Sequence, residues 1–164
     1  MSVCGQGAAR RGGAMLMACL VSALCVACSA APEGRTLSGG ETGQIRVSLT
    51  GLRNKQGQVL VNLFDAARGF PNRTQRARET RILNATDIPV ARFENLPYGT
   101  YAVSVVHDEN SNDKLDTGLL GVPTEGYGAS NNPEPGFGPP DFSESAFELR
   151  QPVRRVEVAL TYRL

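Results

Sequence analysis

The chain has 164 residues, 41% hydrophobic and 20% charged, long enough for one ordinary domain and short for two. Its 18 glycines and 10 prolines, 6% aromatic content and lack of tryptophan favour strands and turns over a helical bundle. A formal net charge of +1 supplies no excess of cations for counterion-driven binding, which sets nucleic acid aside as a partner.

All four cysteines, Cys4, Cys19, Cys25 and Cys28, lie within the first 28 residues, so they do not form a disulfide framework. The same stretch carries Arg10 and Arg11, an uncharged run from Ala14 to Ala27, and then Ser-Ala-Ala-Pro-Glu-Gly. These are the basic, apolar and small-residue regions of an export signal. The apolar run is shorter than the ~20 residues a membrane-spanning helix needs. Leu24-Cys25-Val26-Ala27-Cys28 resembles a bacterial lipobox, in which a small residue precedes a cysteine that is acylated and becomes the new N-terminus; Cys25 stands where Leu is usual. The expected organisation is an export signal over 1–27, a lipid on Cys28, a flexible Gly-rich tether over 28–43 and a folded domain over 44–164. Such a protein sits at the outer membrane or in the periplasm, its lipid in the membrane. Cleavage near Ala30 or Ala31, giving a soluble periplasmic or secreted domain, is the alternative. Without residues 1–27 the chain carries 15 basic and 16 acidic side chains, a net charge of −1.

From Gln44 the sequence alternates strictly, with Ile45, Val47 and Leu49 on one face and Arg46, Ser48 and Thr50 on the other, the pattern of a half-buried strand. Asn54-Lys55-Gln56-Gly57 has turn chemistry, and Val59, Val61 and Leu63 resume the period of two, so residues 44–65 read as a β-hairpin. Ala66 to Asp87 is polar and Arg-rich; Thr74 to Leu83 suits a short helix or a crossover loop. Val90 to Glu94 reads as a strand, Asn95 to Gly99 as a turn, and Thr100 to Val106 as a strand with Tyr101, Val103 and Val105 on one face. His107 to Glu144 is dense in Gly, Pro, Asn and Asp and reads as one long functional or pinned loop. Ala146 to Leu149 and Val153 to Leu164 close the chain as strands. The expected fold is all-β: an antiparallel β-sandwich of about seven strands, immunoglobulin-like or transthyretin-like, with one long Gly/Pro/Asn-rich loop.

The chemistry concentrates at the start of that loop. Asp108, Asn110, Asn112 and Asp116 stand at relative positions 1, 3, 5 and 9, the spacing by which a tightly wound loop converges carboxylate and amide oxygens on Ca²⁺. Lys114, at position 7, contributes its backbone carbonyl. Position 6, where φ > 0 is wanted, is Asp113, and position 12 is Leu119 rather than Glu. This departs from the helix-loop-helix site and points to the shorter loop found between strands, with Glu109, Glu125 or water completing the shell. The expected role is structural and weak, with affinity on the order of 10⁻⁴ to 10⁻³ M. A loop of Asx turns satisfying its own backbone, without metal, is the other reading. If the loop is an ion site, removing Asp108 leaves the ion-free stability nearly unchanged, because clustered carboxylates repel one another.

Phe93-Glu94-Asn95-Leu96-Pro97-Tyr98-Gly99-Thr100-Tyr101-Ala102-Val103, His107-Asp108-Glu109-Asn110, Asn112, Lys114-Leu115-Asp116-Thr117, Gly121 to Gly128 and Ser130-Asn131-Asn132 together resemble the bacterial exported domains of unknown function numbered 2141. The likeness runs from about Gln44 to Leu164, with Ser111 and Asp113 standing where Gly is commoner. It implies an exported β-sandwich and no particular activity.

His107 is the one histidine, and without a thiol nucleophile or a Gly-x-Ser-x-Gly elbow it makes a poor catalytic set; it is expected to orient a loop carboxylate. The favoured function is a noncatalytic cell-envelope lipoprotein domain that binds or scaffolds an envelope ligand or protein through its loops. A small periplasmic hydrolase using His107, Asp108, Glu109 and Glu125 is the alternative. Arg68, Arg73, Arg76, Arg78 and Arg81 either meet phosphates or acidic sugars or form a solvated connection. Tyr127, Phe137 and Phe142 either stack on sugars or fasten the long loop to the sandwich.

Overall fold

In the computed structural model, residues 40–86, 90–134, 136 and 138–163 are described. The expected signal, Cys28 and all of the tether before Gly40 lie outside them, as does Phe137. The first strand, β1 (Thr42–Thr50), begins two residues inside the expected tether and buries Ile45, Val47 and Leu49, as its alternation requires. It pairs antiparallel with β4 (Val90–Pro97) and parallel with β8 (Val153–Ala159), giving a three-stranded sheet in the order β4-β1-β8. The second sheet runs β3 (Glu79–Asn84), β2 (Gln58–Phe64), β5 (Gly99–Asp108), β6 (Gly126–Ala129), with β7 (Phe147–Leu149) also paired to β5. Between the sheets, Ile45, Val47, Leu49, Phe93, Val156 and Val158 meet Val59, Val61, Leu63, Tyr101, Val103 and Val105 in one core. The fold is an all-β sandwich.

Several local expectations change. Residues 44–65 are not a hairpin: β1 and β2 lie in different sheets. Both strands carry an apolar face, and placing them in facing sheets buries each face against the other. The connection between them is longer than a tight hairpin loop and turns at Gly51 and Gly57, both at positive φ. One pairing, β1 with β8, is parallel in an otherwise antiparallel sandwich. The whole domain intervenes between those two strands, so no short turn dictates their relative direction.

The Thr74–Leu83 stretch holds a single 3-10 turn, Thr74–Arg76, and then β3, which pairs antiparallel with β2. It escapes the period-of-two reading because Ile82 is 56% exposed while its neighbour Leu83 packs against the core. Nor is His107 to Glu144 a single loop. β6 lies within it, and Phe142–Ser145 forms a helical turn with a capping box between Asp141 and Glu144.

The second sheet is covered on its outer face too, since Leu60, Phe64, Ala102 and Ser104 are buried there. The Asp65–Arg78 connection supplies the cover. Phe70 stands edge-on to Phe64 and to Phe142, with ring centroids 5.3 and 5.7 Å apart, and Ser104 donates to the Pro71 carbonyl at 3.0 Å. Phe142 therefore fastens its segment to the sandwich. Tyr127 accepts a hydrogen bond from Arg163 Nε at 2.9 Å.

Candidate functional site

The acidic loop leaves the end of β5 and winds around Asp108. This carboxylate is fully buried. Its Oδ1 accepts the Asn112 N–H at 3.0 Å, and its Oδ2 accepts the Asp113 N–H at 2.7 Å and Gln58 Nε2 at 2.9 Å. Register places Gln58 directly opposite Asp108 across β2 and β5, which is why an amide from the sheet reaches it. Burial pushes this carboxyl up, but the hydrogen bonds from Gln58, Asn112, Asp113 and Ser111 outweigh it and hold the group below the usual carboxylate value. Ser111 and Asp113 have φ of 60° and 62°, so the two positions where glycine is commoner in the resembled family are the two that need the left-handed conformation.

The exposed side of the turn gathers the other candidates. Asn110 Nδ2 donates to Asp116 Oδ2 at 2.6 Å, Asn112 Nδ2 lies 3.0 Å from both Asp116 oxygens, and Lys114 N–H donates to Asn112 Oδ1 at 3.0 Å. Asp108, Asn110, Asn112, Lys114 and Asp116 thus fold into one compact turn. The amide donors of both asparagines face the Asp116 carboxylate. Among the described residues no three His, Cys, Asp or Glu side chains converge as a metal-holding group.

Glu125 closes the neck of the loop. It is 4% exposed, and its two oxygens accept the Glu109 and Asp116 N–H groups, each at 3.0 Å. Glu109 instead turns outward to Arg53 and to Asn54 Nδ2 at 2.6 Å. The Arg53 guanidinium, with help from Asn54, holds the Glu109 carboxyl below its ordinary value against the opposing effect of burial.

His107 is fully buried and does not orient a loop carboxylate. Its Nε2 lies 2.9 Å from the Gln56 carbonyl, which can only accept, so Nε2 carries the proton. Nδ1 then accepts the Tyr162 hydroxyl at 2.7 Å, while that hydroxyl oxygen accepts the Arg53 N–H at 3.2 Å. Burial raises the Tyr162 hydroxyl above its usual value, consistent with its role as a donor. Glu109 Oε1 is 3.9 Å from the ring, too far for a hydrogen bond. The histidine therefore ties β5 to the β1–β2 connection and to the C-terminal segment. Gly57 belongs to the same arrangement, because a Cβ there would sit 2.1 Å from the Asp108 carbonyl oxygen.

The four groups of the hydrolase alternative divide between buried and outward-facing positions: His107, Asp108 and Glu125 are buried, and Glu109 faces Arg53. Two surface hollows, of about 380 and 450 Å³, lie beside the Asp65–Arg78 connection and beside β7, and no residue of the acidic loop lines either. Sequence reasoning missed Gln58, Arg53 and Tyr162. Their only signal is register and topology, since they stand 50 or more residues from their partners in the loop.

A family model described as an uncharacterized protein conserved in bacteria matches residues 47–157, from β1 to β8, and takes in both sheets and the whole acidic loop. No curated protein and no solved structure matches the chain. With well over half of its length covered by that match, the chain belongs to the bacterial family of uncharacterized proteins DUF2141.

Proposed function

We propose that this chain is a noncatalytic cell-envelope lipoprotein domain, exported by residues 1–27, anchored through a lipid on Cys28, and presenting loops to an envelope ligand or protein. Its acidic loop takes a weak structural Ca²⁺ through Asp108, Asn110, Asn112, the Lys114 carbonyl and Asp116. The observation that carries the noncatalytic reading is the engagement of His107, Asp108 and Glu125 inside the fold, and of Glu109 by Arg53 and Asn54 at its surface. Asp108 and Glu125 are buried against N–H donors, and both His107 nitrogens are occupied. A general acid or base needs an atom facing the proton it transfers.

The winding of the loop supports the calcium reading. Positions 5 and 6 return their N–H groups to the carboxylate at position 1, which draws positions 3, 5 and 9 to one side of the turn. Rotating the Asn110 and Asn112 amides about Cβ–Cγ replaces N–H by C=O beside Asp116, the oxygen-rich shell that Ca²⁺ favours. Thermal unfolding of EDTA-stripped protein tests this. Calcium at 100 times Kd adds roughly 2.7 kcal/mol to stability, and magnesium, which demands tighter octahedral geometry, substitutes poorly. A melting temperature that ignores millimolar calcium removes the ion from the proposal. For the anchor, metabolic labelling with a palmitate analogue marks the wild-type chain and not Cys28→Ala, whereas an unlabelled but exported wild type refutes it.

A further inference from the structure

The five arginines between positions 68 and 81 divide in the folded chain. Arg78 pairs with Asp65 and Arg81 with Glu79, both at 2.8 Å, and these are the only carboxylates of residues 65–81. Arg68, Arg73 and Arg76 make no side-chain hydrogen bond or ion pair among the described residues. With Gly69, Phe70 and Asn72 they line the hollow of about 380 Å³.

Local geometry holds Arg73 and Arg76 together beside Arg68. The Arg73 N–H donates to the Gly69 carbonyl and the Arg76 N–H to the Arg73 carbonyl, both at 2.8 Å. Gly69 sits at φ 95°, and a Cβ there would lie 2.6 Å from the Arg76 Cβ and 3.2 Å from the Arg73 Cβ, so the stems of both arginines pack over bare backbone. The segment beneath is fixed by the Phe64, Phe70 and Phe142 rings and by the Ser104 bond to Pro71. The Arg73 and Arg76 stems are thus held side by side over Gly69, Arg68 lines the same hollow, and the neighbouring carboxylates are already taken, an arrangement that an anion relieves.

We propose that this hollow binds a phosphate monoester, borne on a lipid headgroup or on a soluble sugar phosphate. A carboxylate brings one charge and two oxygens to three guanidinium groups. A phosphate monoester brings a charge of about −1.5 to −2 and three terminal oxygens, and the fork of each guanidinium suits such oxygens. Asn72 supplies a neutral donor and acceptor at the rim for the ester oxygen or an adjoining hydroxyl.

The test uses the full-length chain. Inorganic phosphate and glucose 6-phosphate are titrated calorimetrically. Co-sedimentation with phosphatidylcholine vesicles, with and without phosphatidic acid, is measured in a Cys28→Ala background so that an N-terminal lipid does not contribute. The variant Arg68→Gln/Arg73→Gln/Arg76→Gln is compared with Arg46→Gln/Arg92→Gln/Arg155→Gln. The latter removes equal charge from three arginines directly opposite one another on β1, β4 and β8. Binding weakens about tenfold or more in the first variant, as expected for losing charge-assisted hydrogen bonds, and about twofold or less in the second. Preference for phosphatidic acid vesicles assigns the phosphate to a lipid, and saturable binding of glucose 6-phosphate to a soluble ester. Equal weakening in both variants, or no saturable binding in either arm, overturns the proposal. Running every titration in EDTA and again with calcium separates this site from the acidic loop: a loop without calcium leaves the arginine result unchanged.

Discussion

Replacing Asp108 by Asn tests whether the loop is organised by this buried carboxylate. The substitution keeps the shape and removes one acceptor oxygen. Turned the better way, the amide oxygen keeps the bonds from Asp113 N–H and Gln58, but these lose their charge assistance and the Asn112 N–H is left facing an NH₂ group. Losing the Asn112 bond at a part-buried donor, together with the charge assistance of the other two, costs about 3 kcal/mol. For a domain of this size that lowers the melting temperature by roughly 10–15 °C. The chain has no tryptophan, so urea and thermal unfolding are followed by far-UV circular dichroism. The pH dependence has a definite sign. A carboxyl held below its unfolded value adds stability above about pH 4, where the unfolded group ionises, and that stability is lost as pH falls through the depressed folded value. The gap between wild type and Asp108→Asn therefore narrows on acidification. A variant within about 0.5 kcal/mol of wild type at neutral pH, smaller than the spread of a single hydrogen bond, refutes the reasoning, as does a gap that stays constant into the acid range. The same bonds reverse the sequence-based expectation for ion-free Asp108→Ala: it loses stability, because the carboxylate serves its own backbone before it serves an ion.

Two further outcomes follow from the loop. Glu125→Gln puts an amide NH₂ against either the Glu109 or the Asp116 N–H. It lowers stability by about 2 kcal/mol and speeds hydrogen exchange at those two amides; unchanged exchange there contradicts the role given to Glu125. Leu120 is fully exposed and held at φ 63°, and Ser111 is exposed at φ 60°. Leu120→Gly and Ser111→Gly each relieve a left-handed conformation without removing a packed side chain, and each stabilises by about 1 kcal/mol. Denaturant midpoints at or below wild type for both refute this.

What could be read in advance was local. The alternation of Ile45, Val47 and Leu49 reports a buried face, and the core uses that face. Alternation does not report a partner: it suggests a hairpin with β1, whereas the burial of β2 on both sides suits the middle of the opposite sheet. β6 is Gly-Tyr-Gly-Ala, poor in β-forming residues, and holds its place because Gly128 lets β6 approach the end of β8, where a Cβ would sit 2.7 Å from the Ala159 carbonyl oxygen.

The same division runs through the candidate site. Asp108 with Asn112 and Asp113, and Asn110 with Asp116, are bonds within a few residues, and the spacing of polar side chains announces them. The contacts that fix the turn on the sandwich come from elsewhere: Gln58 from β2, Arg53 from the β1–β2 connection, and Tyr162 from beyond β8. None has a local partner to give it away. A turn that closes on itself can be written in ten residues, but its orientation is set where β2, β5 and the C-terminal segment meet. Any ligand of this loop, ion or otherwise, is therefore coupled to the stability of the sandwich through Asp108 and its bond to Gln58. The arginine hollow is pinned instead through Phe70 and Ser104 on the outer face of the second sheet. With no residue shared between these two sets of contacts, their substitutions should add in stability measurements, whereas Asp108→Asn and Gln58→Ala, which remove the two ends of one bond, should not.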